Sequence, residues 1–147
     1  MLSPYQSGDE AGIQRLLSEA DLVVDDLDEN SWSHFVVLRR GDQLVGAAAI
    51  QPCSSQIGLL RSVVLDPAVR HHGYGRRLVT GAEDLGRENG LRDIYLLTNT
   101  AAPFFSLLGY REIDRQSTPD AVQATAEFQQ LCPASAVVMR KIRSRPL

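Results

Sequence analysis

The stretch VVLDPAVRHHGYGRRL (63–78) does more than any other to limit the fold. An apolar, β-branched run stops at Asp66-Pro67 and gives way to a basic turn holding Gly73 and Gly75. Leu78, Val79 and Ala82 then follow at helical spacing. Strand, glycine turn and helix in succession point to a mixed α/β chain. The same succession is suited to phosphate. N–H groups of a first helical turn have no partner inside the helix, and the helix dipole adds positive charge there. Gly73 and Gly75 let the backbone approach closely, and Arg70 and Arg76 can add charge-assisted bonds. The turn lacks the lysine followed by serine or threonine of a nucleotide-triphosphate loop, and it lacks the third glycine of a dinucleotide fingerprint. On these residues alone, a plain glycine-containing turn is an equal reading. Adjacent His71 and His72 diverge, and no nearby Cys, Asp or Glu completes a ligand set, so no metal site is expected.

The remaining chain extends this picture. With 147 residues, 44% of them hydrophobic, one domain over 1–147 can build a core. No apolar run approaches the ~20 residues that span a bilayer. The opening MLSPYQSGDE has neither a basic nor an apolar region, so no signal peptide is expected. Cys53 and Cys132 lack metal spacing and read as reduced thiols, which points to the cytoplasm. A net charge of −3 argues against nucleic acid as a partner.

Ser7 and Glu10 predict a capping box for a first helix with Ile13, Leu16, Leu17 and Ala20 on one face. An acidic loop (25–30) precedes a hairpin of strands 33–40 and 43–51, turning at Gly41-Asp42, although Gly46-Ala47-Ala48-Ala49 weakens its second strand. A strand over 57–65, the glycine turn and a helix ended by Asn89-Gly90 follow. Next come a short apolar strand (94–97), a helix capped by Thr100 and stopped by Gly109, a strand (110–113), a helix from Thr118-Pro119 through Phe128, and a last strand (135–141).

Arg70-His71-His72-Gly73-Tyr74-Gly75, preceded by Val64-Leu65-Asp66-Pro67, resembles the coenzyme-A-binding motif of the GNAT N-acetyltransferases. The element order resembles that family over nearly the whole chain. LLRSVVL (59–65), YLLTNTAAPFFSLLGY (95–110) and LCPASAVVMRK (131–141) further resemble the N-acetyltransferases associated with arsenic-resistance gene clusters. The resemblance implies an α/β (α+β) fold with a single mixed, mostly antiparallel sheet flanked by helices. It implies acetyl-CoA as cofactor and a small-molecule amine as acceptor, in a monomer or homodimer. The main chain at Val63 and Leu65 would pair with the pantetheine arm, and the turn from Arg70 to Arg76 would hold the pyrophosphate. Asn99 and Phe105 would add cofactor contacts. Phe105 stands where many members carry a tyrosine that protonates the leaving thiolate, and 57–64 holds no glutamate of the kind many relatives use as base.

An alkylamine has a pKa near ~10, so a base must free it for attack on the thioester. Candidates are His34, Asp26, Asp28 and Glu29, with Tyr110 as a substitute acid. Arg61, the only charge inside 57–65, needs a partner. It is either paired internally, with an acidic residue such as Asp93 or Glu112, or set beside Ser62 to clamp an acceptor carboxylate. Trp32 and Cys132 are further acceptor-side candidates. The expected activity is acetyl transfer to a small amine, such as an amino acid or an amino-acid-like organoarsenical. The alternative is a non-catalytic acyl-CoA-binding or thiol-based sensor module.

Overall fold

The computed structural model describes residues 1–70, 72–130 and 136–142. Seven strands, β1 (Leu2–Pro4), β2 (Phe35–Arg40), β3 (Gln43–Pro52), β4 (Ile57–Leu65), β5 (Asp93–Thr98), β6 (Arg111–Ile113) and β7 (Val137–Ile142), form one sheet in the order β1-β2-β3-β4-β5-β7-β6. β4 and β5 run parallel, while β1–β2, β2–β3, β5–β7 and β6–β7 are antiparallel. The helices are α1 (Glu10–Glu19), α2 (Tyr74–Glu88), α3 (Ala102–Leu107), α4 (Asp120–Gln123) and α5 (Ala126–Gln130). This is the mixed, mostly antiparallel arrangement that the sequence led us to expect. Among the described residues no helix is long and apolar enough to cross a membrane.

The chain divides into two compact units: Met1–Gln51 with Leu60–Leu85, and Pro52–Leu59 with Gly86–Leu147. In the first, Ile13, Leu16 and Leu17 of α1 pack on Phe35, Val37, Ala47 and Ala49. Full burial of each of these aliphatic chains stabilises by roughly 1.5–3 kcal/mol. Alternate residues serve the other helix. A Cβ on Gly46 would meet Leu78 at 2.9 Å and Leu65 at 3.0 Å, and one on Gly81 would meet Leu2 at 2.9 Å. The low strand propensity of Gly46-Ala47-Ala48-Ala49 is overridden because this strand is buried and its small residues make room for helices.

The start of α1 differs from the expected capping box. Asp9, not Ser7, precedes the helix and makes no side-chain cap bond. Its Oδ2 instead accepts the Gln6 N–H at 2.8 Å, while both carboxylate oxygens accept from Arg39 of β2. Burial pushes the Asp9 carboxyl up, but the Arg39 and Gln6 hydrogen bonds outweigh it and hold it below its ordinary value. The strand expected over 33–40 begins at Phe35, after a 3₁₀ turn at Trp32–His34. β1 had no forecast, since three residues ending in proline carry no periodicity.

In the second unit Leu59, Tyr95, Leu97, Val122 and Val138 form the core. Ala101, not Thr100, precedes α3, and its N–H is taken by Thr98 Oγ1 at 3.0 Å. The helix expected from Thr118-Pro119 onward breaks in two at Thr125. That hydroxyl donates to Val122 O at 2.7 Å and accepts the Phe128 N–H at 3.2 Å, competing with the helical ladder.

Candidate functional site

β4 carries the site in the first unit. It is the last strand of that unit's part of the sheet, over Leu60–Leu65, so one side of its main chain faces no other strand of the unit. Asp66 donates its N–H to Val45 O at 2.7 Å. Strand N–H groups alternate in direction, so those of Leu65 and Val63 point to the open side. These are the two residues singled out for main-chain pairing with an extended ligand arm.

The exit from β4 is held tightly. Asp66 Oδ1 accepts the Ala68 N–H at 2.9 Å and starts a 3₁₀ turn at Pro67–Val69. Val69 is buried and anchors the loop, whereas Arg70, His72, Gly73 and Arg76 are exposed. Gly73 has φ +77° with open space where a Cβ would stand, and α2 begins at the next residue. A left-handed residue ahead of a first helical turn aims successive N–H groups outward, which suits a diphosphate. Neither Arg70 nor Arg76 pairs with a carboxylate among the described residues, so both remain available to an anion. His71 lies outside the described residues. These groups fit the phosphate and amide parts of coenzyme A.

One residue upstream of Val63, the backbone kinks. Ser62 has φ +57°, a conformation that costs a non-glycine residue about 1–2 kcal/mol. Beside it Arg61 is 4% exposed. Its Nε donates to Ser62 Oγ (3.2 Å), Nη1 to Gln51 Oε1 (3.0 Å) and Asp26 Oδ2, and Nη2 to Val23 O (3.0 Å) and Asp26 Oδ1 (2.9 Å). All five guanidinium N–H groups are thereby used. The internal partner is Asp26, from the acidic loop; Asp93 instead pairs with Arg140 at 3.2 Å. Reasoning from sequence named Asp26 only as a candidate base, because a pairing across a separation of 35 residues leaves no local signal. An acceptor carboxylate can reach Arg61 only by taking the place of Asp26.

This pairing narrows the candidate bases. Asp26 is committed to Arg61, and Asp28 is exposed and accepts from Asn30 N–H and Ser31 Oγ. Glu29 is exposed. His34 is half-buried at the end of the 3₁₀ turn, and desolvation pushes its pKa down, so its neutral form prevails at neutral pH. Trp32 is packed between Tyr5 (ring centroids 6.4 Å) and Phe35 (5.7 Å), as part of the core of its unit.

In the second unit Phe105 is buried and meets Tyr110 edge-on at 5.9 Å. Tyr110 is 2% exposed, with the Lys141 ammonium 5.5 Å from its ring centre. Asn99 is exposed just after β5. Cys53 is half-buried beside the core of the unit, and Cys132 lies outside the described residues. Among the described residues no group of three or more His, Cys, Asp or Glu is placed to hold a metal.

Comparison with known proteins adds to this geometry. Residues 5–110 match the profile described as Acetyltransferase (GNAT) family. An uncharacterized N-acetyltransferase of Chlorobaculum tepidum is 30% identical over 99 residues, covering 67% of this chain and 63% of the relative. An amino-acid acetyltransferase of Pseudomonas paraeruginosa is 28% identical over 102 residues, covering 69% of this chain and 24% of the relative. The matched stretch therefore spans under two thirds of either relative. The structure of N-acetylglutamate synthase from Neisseria gonorrhoeae, complexed with coenzyme A and N-acetyl-glutamate, superposes with a TM-score of 0.83 at 20% identity, over 99% of this chain and 35% of that one.

Proposed function

We propose, from the premise that the chain belongs to the acetyltransferase (GNAT) family, that it transfers an acetyl group from acetyl-CoA to the amine of a free amino acid. The observation that carries this reading is the open side of β4 at Val63 and Leu65, leading directly into the Gly73 turn and the first turn of α2. Bound there, acetyl-CoA supplies the activated acetyl group as a thioester. The chain supplies main-chain partners for the pantetheine arm, and N–H groups with Arg70 and Arg76 for the diphosphate. His34, neutral at working pH, takes the proton from the acceptor ammonium.

Support for an amino acid comes from the names of relatives, an amino-acid acetyltransferase and an N-acetylglutamate synthase, and from Arg61. An acceptor carboxylate can exchange with Asp26 on the guanidinium without leaving a bare buried cation, because one carboxylate replaces another. Nothing in the relatives named above points to an arsenical acceptor, and that part of the sequence reading is not carried forward.

The test is thioester consumption with a panel of amino acids and their decarboxylated counterparts. Amino acids should be acetylated and the corresponding amines should be poor acceptors. Equal turnover of both removes the carboxylate requirement. Tight coenzyme A binding with no acetylated product from any amine returns the non-catalytic binding module.

A further inference from the structure

Arg61 and Asp26, both in the first unit, are unequally placed toward solvent. The Arg61 side chain is 2% exposed and that of Asp26 24%, so the carboxylate covers the guanidinium from outside. The partners of Arg61 fall into two sets. Ser62 Oγ and Gln51 Oε1, on β4 and β3, take Nε and one N–H of Nη1. Val23 O and both Asp26 oxygens, from the segment between α1 and the Trp32–His34 turn, take the remaining N–H groups. With that segment lifted, the strand partners would still orient the guanidinium, and the edge left open would be the one that meets a carboxylate at two points.

The segment can come away as a piece. Residues 20–31 belong to no helix and no strand, so no ladder breaks when they move. Val23 directly precedes, and Asp26 lies within, a turn closed by the Leu27 N–H on Val24 O at 3.1 Å, so both leave the guanidinium together. Leu22, Val24 and Leu27 hold the segment on the core as partly buried side chains.

We propose, resting on the amino-acid acceptor read above, that Asp26 is a specificity-determining residue, a built-in stand-in that occupies the place of the acceptor carboxylate until one displaces it. An amino acid exchanges one carboxylate for another on the same fork. A simple amine that pushed Asp26 aside would leave a buried guanidinium with a bare edge, which disfavours it. The stand-in also lowers apparent acceptor affinity, in proportion to the fraction of molecules in which the place is open.

The test has two arms. Asp26→Asn keeps the side chain's size but offers the fork only one acceptor oxygen, while Ser62 and Gln51 still hold Arg61. Its kcat/KM for amino acids should rise about tenfold relative to that for the decarboxylated amines, through a lower amino-acid KM, as one charge-assisted bond is lost from the competitor. A merely structural partner gives the opposite sign, a misplaced Arg61 and a higher amino-acid KM. The second arm needs no acetyl-CoA and no turnover. In Asp26→Ala, formate should fill the emptied place and raise the midpoint of thermal unfolding by several degrees over chloride at equal ionic strength, with no such difference in the parent protein. A variant that folds only in formate gives the same result. An amino-acid KM unchanged or raised in Asp26→Asn would overturn the proposal, as would formate acting no better than chloride on Asp26→Ala. If no amino acid is acetylated, the proposed function falls, and the formate arm alone decides whether an outside carboxylate can take the place of Asp26.

Discussion

The two units handle charge in opposite ways. In the first, a guanidinium is sunk inside a strand and saturated by Asp26, Gln51, Val23 and Ser62, next to a residue in a strained conformation. In the second, the Arg140–Asp93 pair stays about one-third exposed, and cations lie over aromatic faces, Arg115 on Phe128 at 4.2 Å and Lys141 on Tyr110 at 5.5 Å. The first unit spends stability on fixed polar geometry around Arg61, whereas the second leaves its Arg140–Asp93 pair partly open to solvent. Strain and buried charge persist only where the surroundings over-determine them, so they mark the unit in which position matters most.

The largest contrast should come from cutting each ion pair. Asp26→Ala leaves Arg61 buried and unpaired and should cost roughly 3–5 kcal/mol. Asp93→Ala, in the pair that is about one-third exposed, should cost about 1 kcal/mol or less. Urea unfolding of both variants measures the difference, and equal losses would erase the distinction between the units.

Next in size is the cradle. Gly75→Glu sets a carboxylate against the expected diphosphate, where like charges oppose each other by several kcal/mol, so coenzyme A affinity should fall by roughly a hundredfold or more with the fold retained. Unchanged affinity in the folded variant would remove the cofactor assignment from the first unit.

A smaller effect is expected from Phe105→Tyr in the second unit. If thiolate departure needs no acid there, turnover should change by less than about tenfold, well short of the ~10²–10⁴ of general acid catalysis. A gain on that larger scale would place catalytic weight in the second unit as well.

The smallest effect is in pH dependence. Asp9 and His34, both in the first unit, have pKa values below their ordinary ones, so the unfolded chain binds protons more readily than the fold. Stability then rises with pH across each titration. On acidification it should begin to fall below about 6.5 through His34, and again below about 4 through Asp9. His34→Gln should flatten the first step and Asp9→Asn the second, as followed by midpoint of thermal unfolding against pH.

How much of this was legible in the sequence depends on the range of the interaction concerned. β4 was read to its bounds, because apolar continuity and the Asp66-Pro67 stop are local. The same holds for the turn at Gly41-Asp42. Caps were misplaced at Ser7 and Thr100 because neighbouring residues compete for the same N–H groups. The break at Thr125 was missed because a hydroxyl that bonds its own helix looks like any helical threonine. Within the site, the turn follows from local pattern and the ligand-pairing side of β4 from the family resemblance, while the Asp26–Arg61 pair exists only once distant segments meet. Cys132 and His71 fall outside the described residues.

Ser62 and Arg61 sit in a strand that serves both units: Ile57–Leu59 pairs with Asp93–Tyr95 in the second, and Leu60–Leu65 continues into the first. The first unit is thus discontinuous along the chain, closed only when residues 60–85 return to 1–51. Contacts of such sequence separation slow folding, since loop closure precedes the contacts that reward it. During synthesis, the segment 1–51 would emerge with β3 lacking its β4 neighbour and Asp26 lacking its arginine. Its apolar edge stays open until β4 arrives, and that interval is when the nascent chain is most exposed to aggregation and most in need of a chaperone.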